Sequence, residues 1–344
     1  MLPTGTELLT FILAFALPCI VVLVFMPRYL DLLRSRGRLA TDVHKPQQTK
    51  VPTPAGPLLI AAIIAGEVAI YLVNPSTIPV VAIEVTLIAG AIGIYDDLRG
   101  LGGIVKPLLL TLAAVPLLIE EQVHHSLYAA VLNFPLFGAT GTHFIIFAIL
   151  IVAAMPVSAN AFNMLDAFNG EISGFTVLVS VALATGVVME GLATPNFDYI
   201  RLAAVLPLAA TAVCFYYYNK FPAKAFDGDS GSLTFGALYA TLAIMGGVEI
   251  ASLVALIPAV LNSYYILYSM RGLVEHKQME LRPTYLGKDG KLHATEKAKA
   301  PTTLVRMILL GSPMGEKQIV QSILTLTVFA CALSILTSAL TWLV

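Results

Sequence analysis

The chain has 344 residues, of which 58% are hydrophobic and only 12% are charged, and its mean hydropathy is +0.84. Soluble domains carry about 25% charged residues, so this composition excludes a soluble globular domain. The net charge of −1 excludes the strongly basic character expected of a nucleic-acid-binding protein. The composition is that of a polytopic membrane protein.

Apolar stretches predict about ten membrane-spanning helices, since each span needs roughly 20 residues. We predict an all-α integral membrane protein in which residues 1–344 form a single polytopic domain. No cleavable signal peptide is expected, because the first apolar run is long enough to span and lacks a small-residue cleavage site. In chain order the predicted spans lie near 8–27, 54–74, 77–95, 104–119, 143–159, 172–189, 200–218, 231–249, 250–270 and 317–343.

The distribution of basic residues predicts the orientation of these spans. Every Lys and Arg except Arg201 falls in four odd-numbered connections, at 28–53, 96–106, 219–230 and 271–317. By the positive-inside rule these connections are cytoplasmic and both termini lie outside. The main polar clusters fall in odd-numbered connections too, which predicts one composite site at the cytoplasmic face. A transporter would more often place its charges near the bilayer midplane, so this placement favours an enzyme that handles a soluble anionic substrate.

The first polar motif, "YDDLRGLGGIVKP", contains two adjacent aspartates, Asp96 and Asp97. Two carboxylates side by side near hydrocarbon repel one another and need a cation or deep access to water. Lys106 stands just before Pro107, where the next helix is expected to begin, and an ammonium group beside free N–H groups binds anions. The alternative is an ordinary solvated turn.

The second motif, "NAFNMLDAFNG", has a polar residue at every third position. Such a set at the end of a membrane helix cannot face lipid. The alternative to a site is a polar helix end that closes in an Asn-Gly turn. The polar residues are Asn160, Asn163, Asp166 and Asn169.

The third motif, "KAFDGDSGSLTFG", leads directly into an apolar helix, so Asp227, Asp229 or Ser230 could each be a plain N-cap. Taken with the other two motifs, it supplies several oxygen ligands near a lysine. Mg²⁺ prefers one or two carboxylates together with phosphate oxygens and water. We therefore predict a Mg²⁺ and diphosphate site, with Mn²⁺ as the alternative metal.

Five stretches, which span residues from about 40 to 295, carry a family resemblance: "VHKPQQTKVPTPAG", "GIYDDLRGLGGIVKPLLL", "NAFNMLDAFNGE", "YYNKFPAKAFDGDSGSLTFG" and "LGKDGKL". In this order they resemble the polyprenyl-phosphate N-acetylhexosamine-1-phosphate transferases, and the dolichyl-phosphate N-acetylglucosamine-phosphotransferase branch most closely. The resemblance implies a ten-helix fold. It also implies transfer of a sugar 1-phosphate from a UDP-N-acetylhexosamine to a polyprenyl or dolichyl phosphate, with release of UMP, as the first membrane step of glycan or glycolipid assembly.

The resemblance also implies a role for individual residues. Asp229 with either Asn163 or Asp166 would hold Mg²⁺, and the choice between these two stays open. Lys106 would stabilise the diphosphate, and Asp96 and Asp97 would position or deprotonate the lipid phosphate. The implied substrate contacts are Phe226 stacked on uracil, Asn169 hydrogen-bonded to it, and in addition Asn160, His276, Lys277, Arg282 and Lys50.

The connection 271–316 is expected to be the cytoplasmic substrate-recognition loop. It has neither the histidine triplet of the bacterial branch nor the closely spaced arginines of the dolichol branch, so the hexosamine stays open. The expected partners are the UDP-sugar, the lipid phosphate and the bilayer, in a prokaryotic plasma membrane and without nucleic acid, and a homodimer is left open. The alternatives are a nucleotide-sugar or lipid transporter without catalysis, and a non-catalytic membrane scaffold.

Overall fold

The computed structural model of the chain describes residues 4–45, 49–124, 131–136, 138–141, 144–194, 198–272 and 281–342. Most of these residues are helical, as the apolar composition predicts. The helices are α1 (Gly5–Ser35), α2 (Gly56–Val73), α3 (Thr77–Arg99), α4 (Val105–Leu110), α5 (Val115–His124), α6 (Phe144–Leu165), α7 (Glu171–Ala193), α8 (Tyr199–Asn219), α9 (Gly228–Met245), α10 (Glu249–Ala255), α11 (Ile257–Met270), α12 (Leu304–Leu309) and α13 (Glu316–Trp342).

Among the described residues, the connections contain three short antiparallel hairpins that the all-α prediction did not include. Each hairpin pairs two consecutive strands of three or four residues and forms no larger sheet. The extended segments satisfy their backbone groups by pairing locally. The strands are β1 (Leu39–Thr41) with β2 (Lys50–Pro52), β3 (Val131–Phe134) with β4 (Gly138–Gly141), and β5 (Thr284–Leu286) with β6 (Leu292–Ala294).

Seven helices among the described residues are long and apolar enough to cross a membrane: α1, α2, α3, α6, α7, α8 and α13. An eighth span is formed if α10 and α11, which meet at a bend of 66°, are counted together. The span predicted near 104–119 is instead α4, a 3-10 turn (Thr111–Ala114) and α5. The multi-pass character is confirmed, whereas the count of ten and the orientation stay predictions.

Helix α9 lies at the centre of the bundle. Every residue from Ser230 to Met245 is buried, and the helix packs against α2, α3, α6 and α8. Close packing depends on small residues: a Cβ atom at Gly236 would lie 2.6 Å from the carbonyl oxygen of Ser158 on α6. A helix that is buried all round has no polar face. Its one charged residue, Asp229, lies in the first turn, and the buried hydroxyls of Thr234 and Thr241 donate to carbonyl groups of the same helix.

Several helix termini meet at the end of the bundle where α9 begins. Helix α3 ends there at Arg99 and α6 at Leu165, while α4 begins at Val105, and α3 and α6 pack against both α4 and α9. We call this end the site end. The termini of a helix leave backbone N–H and C=O groups without partners inside the helix. Polar side chains from well-separated parts of the sequence are therefore brought together there.

Candidate active site

Lys106 is the centre of a polar cluster at the site end. Its Nζ atom forms an ion pair with the carboxylate of Asp96 and lies 3.1 Å from Oδ1 of Asp229 and 3.5 Å from Oδ1 of Asn163. The four side chains come from α3, α4, α6 and α9, and that of Lys106 is 16% exposed. We call these four residues the lysine cluster. The sequence predicted all four as site residues, and the fold brings them together.

Asn163 joins α6 to α9 within the lysine cluster. Its Nδ2 atom donates to Oδ1 of Asp229 at 2.5 Å and to Oγ of Ser232 at 2.9 Å, which leaves its Oδ1 atom toward Lys106. The side chain of Asp229 is 31% exposed, and within the described residues its Oδ2 atom has no hydrogen-bond partner. One carboxylate oxygen and one neighbouring amide oxygen are thus able to bind a cation.

The adjacent residues Asp96 and Asp97 face different partners. Asp96 is buried, and its Oδ1 atom accepts a hydrogen bond from the N–H of Leu101 at 2.6 Å while its carboxylate pairs with Lys106. The oxygens of Asp97 accept hydrogen bonds from the N–H groups of Asp229 and Ser230, at 2.8 and 3.0 Å. The repulsion between the two aspartates is offset because a cation holds one and helix amides hold the other.

The plain N-cap interpretation of "FDGDSG" does not hold. Asp227 occupies the N-cap position of α9, but its side chain makes no capping hydrogen bond. Asp229 and Ser230 lie inside the first turn, and their amides are bound by Asp97 of α3. The cap of α9 therefore comes from another helix.

Asp166 pairs with Asp227 and lies just past the end of α6. The two carboxyl groups lie close enough to affect each other's pKa, and both carboxylate oxygens of Asp227 are buried without a hydrogen-bond partner among the described residues. Burial, with a contribution from the charge of Asp229, raises the pKa of Asp166 to about 7, and burial also raises the pKa of Asp227. Burial therefore disfavours the charged form of both carboxyl groups. Asn163, rather than Asp166, contacts Asp229, and this bears on the choice that the sequence left open.

A second cluster surrounds Asn169, between α6 and α7. Its Nδ2 atom donates to Oδ2 of Asp42 at 3.0 Å, its backbone N–H donates to Oε1 of Glu316 at 3.0 Å, and Nζ of Lys45 lies 2.5 Å from Asp42 Oδ2. We call Asp42, Lys45, Asn169 and Glu316 the asparagine cluster. Burial disfavours the charge of Asp42, but hydrogen bonds from Lys45 and Asn169 outweigh it and hold the pKa of Asp42 below its ordinary value.

Sequence reasoning missed three members of the asparagine cluster. Lys45 lies inside the stretch "VHKPQQTKVPTPAG", and Asp42 lies immediately before it, so the family resemblance could have indicated both. Glu316 lies beyond residue 295, outside the resemblance, and no pattern in the sequence marked it. Asn219 was also missed: its Oδ1 atom accepts from the N–H of Gly170 at 3.1 Å, and its Nδ2 atom donates to the carbonyl of Ala225 at 3.2 Å.

Two cavities of about 580 and 320 Å³ lie beside the asparagine cluster. Both are lined by His44, Arg282 and Thr284, which places them between the segment after β1 and the beginning of β5. The ring of His44 stacks on that of Phe168, with ring centroids 4.4 Å apart. Arg282 lines both cavities, and its predicted role in recognition stays a prediction, whereas His276 and Lys277 fall outside the described residues.

Phe226 lies at the entry to α9 and is fixed by its backbone. Its N–H donates to the carbonyl of Pro52 at 3.0 Å, and its carbonyl accepts from the N–H of Ala55 at 2.8 Å. A Cβ atom at Gly56, next to Ala55, would lie only 2.1 Å from Oγ of Ser230. The stretch "VPTPAG" therefore packs the beginning of α2 closely against the beginning of α9.

Two predicted substrate contacts are not brought into either cluster. Lys50 is exposed on β2, where it pairs with Thr41. The Nδ2 atom of Asn160 donates to the carbonyl of Pro156 at 2.7 Å, inside α6.

The Asn-Gly turn that the sequence analysis gave as the alternative for the second motif is present at Asn169 and Gly170. Gly170 adopts a left-handed conformation, with φ +84°, at the N-cap of α7.

A known protein family matches the segment of the chain that carries the lysine cluster. Residues 79–247 match the sequence profile of glycosyl transferase family 4, a range that contains both aspartates of α3 and the first turn of α9. A protein of Methanocaldococcus jannaschii, described as a candidate glycosyltransferase, is 30% identical over 86% of this chain and 87% of its own length. This chain belongs to glycosyl transferase family 4.

Two further relatives of the family 4 chain carry more specific names. One, from Saccharolobus solfataricus, is described as a candidate UDP-N-acetylglucosamine–dolichyl-phosphate N-acetylglucosaminephosphotransferase. It is 31% identical over 64% of this chain and 66% of the relative. The other, from Staphylococcus haemolyticus, is named phospho-N-acetylmuramoyl-pentapeptide-transferase and is 30% identical over 60% of this chain and 66% of the relative. The resemblance derived from the sequence motifs is confirmed.

Proposed function

We propose that this protein transfers N-acetylglucosamine 1-phosphate from UDP-N-acetylglucosamine to a polyprenyl or dolichyl phosphate and releases UMP. The observation that carries the proposal is the lysine cluster, which joins a cation, two carboxylates and an amide at one end of a membrane bundle. These groups are suited to bind a diphosphate and a divalent metal. The names of the Saccharolobus and Staphylococcus relatives support this reaction class.

The donor atoms of the lysine cluster fit Mg²⁺. Asp229 supplies a carboxylate and Asn163 an amide oxygen, and Mg²⁺ commonly takes one or two carboxylates together with substrate phosphates and water. Among the described residues no group of three His, Cys, Asp or Glu side chains is arranged to hold a metal. Substrate phosphate oxygens and water would complete the ligand shell. When bound, Mg²⁺ would neutralise charge on the diphosphate and polarise the phosphorus that is attacked.

Lys106 would supply the second positive charge of the site. Without substrate its ammonium group neutralises Asp96 and Asp229. With the donor bound, its N–H groups would donate to an oxygen of the diphosphate and stabilise the charge that develops on the departing UMP. Asp96 would hold the lysine in place during this step, because it is buried and fixed by the N–H of Leu101.

The transfer itself would be a single displacement. A phosphate monoester has its second pKa near 6, so the lipid phosphate is already a dianion at neutral pH and needs no strong base. Its oxygen would form a bond to the sugar-linked phosphorus while the bond from that phosphorus to the UMP oxygen breaks. The products are lipid diphosphate N-acetylglucosamine and UMP, so no phosphosugar is held covalently on the protein.

The site would face the cytoplasm of a prokaryotic cell. The soluble nucleotide sugar is available on that side of a plasma membrane, and the positive-inside rule assigns the connections of the site end to it. Arg282 and the cavities beside it are the candidate sugar pocket, since they lie next to the asparagine cluster.

A UMP-release assay tests the proposal. The purified chain is incubated with UDP-N-acetylglucosamine, a polyprenyl phosphate and Mg²⁺, and Asp229→Asn serves as the inactive control. We expect UMP only when the lipid acceptor is present. Transport of the nucleotide sugar into vesicles without UMP release would favour the transporter alternative. A stoichiometric burst of UMP without acceptor would contradict the single displacement.

A further inference from the structure

The carboxylate of Asp97 ties the end of α3 to the beginning of α9. One of its oxygens accepts from the N–H of Asp229 at 2.8 Å and the other from that of Ser230 at 3.0 Å. Amides in the first turn of a helix have no partner inside the helix. The N-cap residue, Asp227, makes no capping bond to them. Asp97 is therefore the group that satisfies these two amides.

Glycines allow this contact. A Cβ atom at Gly93 of α3 would lie 2.5 Å from Cα of Ser230, so the backbones of α3 and α9 approach closely there. Gly228 has φ +75°, and a Cβ atom on it would lie 2.7 Å from Oδ1 of Asp97 and 2.6 Å from Cβ of Pro54. A side chain at either position would push the carboxylate away from the amides.

The partners of Asp97 include the metal-binding candidate itself. The N–H of Asp229 is bound by Asp97, and the side chain of the same residue is bound by Asn163 and Lys106. Backbone and side chain of Asp229 are thus fixed from different helices. A negatively charged acceptor at a helix N-terminus is also favourable electrostatically, and this stabilises the hydrogen bonds between Asp97 and the amides of α9.

We infer that Asp97 is a positioning residue that orients Asp229 for metal and diphosphate, rather than the base that deprotonates the lipid acceptor. This inference rests on the proposed function. Both oxygens of Asp97 are engaged by α9, so the carboxylate acts through Asp229. Among the described residues, the titratable and charged groups around it are the carboxyl groups of Asp166, Asp227 and Asp229. Tyr29, Arg36 and Arg38 line a cavity of about 170 Å³ together with Asp97.

Amide hydrogen exchange on the full chain in detergent tests the contact without any substrate. The peptide that covers the first turn of α9 is compared in wild type, Asp97→Asn and Asp97→Ala. We expect its slow amides to exchange about tenfold faster in Asp97→Ala, with a smaller increase in Asp97→Asn, which keeps one acceptor oxygen. Asp96→Asn is the matched control, because that carboxylate binds Lys106 and Leu101 instead. Unchanged exchange in both Asp97 variants would overturn the inference.

Kinetics separate positioning from base catalysis. For a positioning residue, Asp97→Asn should raise the Mg²⁺ concentration for half-maximal rate about tenfold, and its loss of rate should stay constant as pH rises. A loss that shrinks with rising pH, as the acceptor phosphate deprotonates by itself, would identify a base and overturn the inference. If no UDP-sugar yields UMP with wild type, the proposed function fails, and amide exchange still decides whether Asp97 holds α9.

Discussion

The lysine cluster and the asparagine cluster are built in different ways. The members of the first lie on α3, α4, α6 and α9, within or next to closely packed helix ends. In the second, Asp42 and Lys45 follow β1 and Asn169 lies between α6 and α7, so only Glu316 belongs to a helix. Helices hold groups more precisely than connections, whereas connections vary more readily. We therefore propose that the lysine cluster carries the chemistry and that the asparagine cluster recognises the substrate.

The largest effect is expected from Asp229→Asn, in the lysine cluster. An amide brings no negative charge to the metal, so affinity for Mg²⁺ and polarisation of the phosphate should both fall. We expect kcat to drop by roughly 10³-fold at ordinary Mg²⁺ concentrations, measured as UMP release. Wild-type turnover with an unchanged dependence on Mg²⁺ would leave Asp229 with a structural role alone.

Lys106→Ala should reduce kcat by about 10²–10³-fold, as does the loss of one donor to a developing anion. Lys106→Arg should restore little, because guanidinium and ammonium differ in shape and hydration. In the free protein Lys106 binds the oxygens of Asp229 and Asn163 that would hold Mg²⁺. Without substrate, Lys106→Ala should therefore bind Mg²⁺ more tightly than wild type, as measured by calorimetry. Equal kcat in Lys106→Ala and wild type would remove the lysine from the chemistry.

Asn169→Ala tests the proposed role of the asparagine cluster in recognising the substrate. The amide should bind the donor nucleotide, so its loss should raise KM for the UDP-sugar about tenfold and change kcat little. Asn160→Ala is the matched control, because among the described residues its side-chain amide donates to the carbonyl of Pro156, within α6. A fall in kcat at unchanged KM would place Asn169 with the lysine cluster instead.

The smallest effect concerns the acid stability of the asparagine cluster. The pKa of Asp42 is lowered in the folded protein by Lys45 and Asn169, against the effect of burial. Such a group stabilises the fold above its unfolded pKa, near 4, and this contribution is lost as pH falls through the folded-state pKa. Melting temperatures in detergent should therefore decline less steeply below about pH 4 in Asp42→Asn than in wild type. Parallel declines in both proteins would show that Asp42 makes no such contribution.

The sequence by itself predicted the class of the protein and all four residues of the lysine cluster. Apolar runs long enough to span a membrane leave few stable alternatives to helices, because backbone groups in lipid must be satisfied within the segment. Because polar groups cannot face lipid, clusters of polar residues at the ends of apolar runs indicate a candidate site. The sequence therefore predicted four site residues before their contacts were known: Asp96, Lys106, Asn163 and Asp229.

Only the tertiary structure decided how these residues divide their tasks. The carboxylate of Asp96 contacts Lys106, whereas that of Asp97 accepts hydrogen bonds from the amides of α9. This difference depends on how α3 packs against α9. Asn163 rather than Asp166 reaches Asp229 for a similar reason. Asn169 meets Asp42 and Glu316 across sequence separations of 127 and 147 residues, which no local pattern records. Helix formation is governed by nearby residues, whereas contacts between helix ends depend on the packing of the whole bundle.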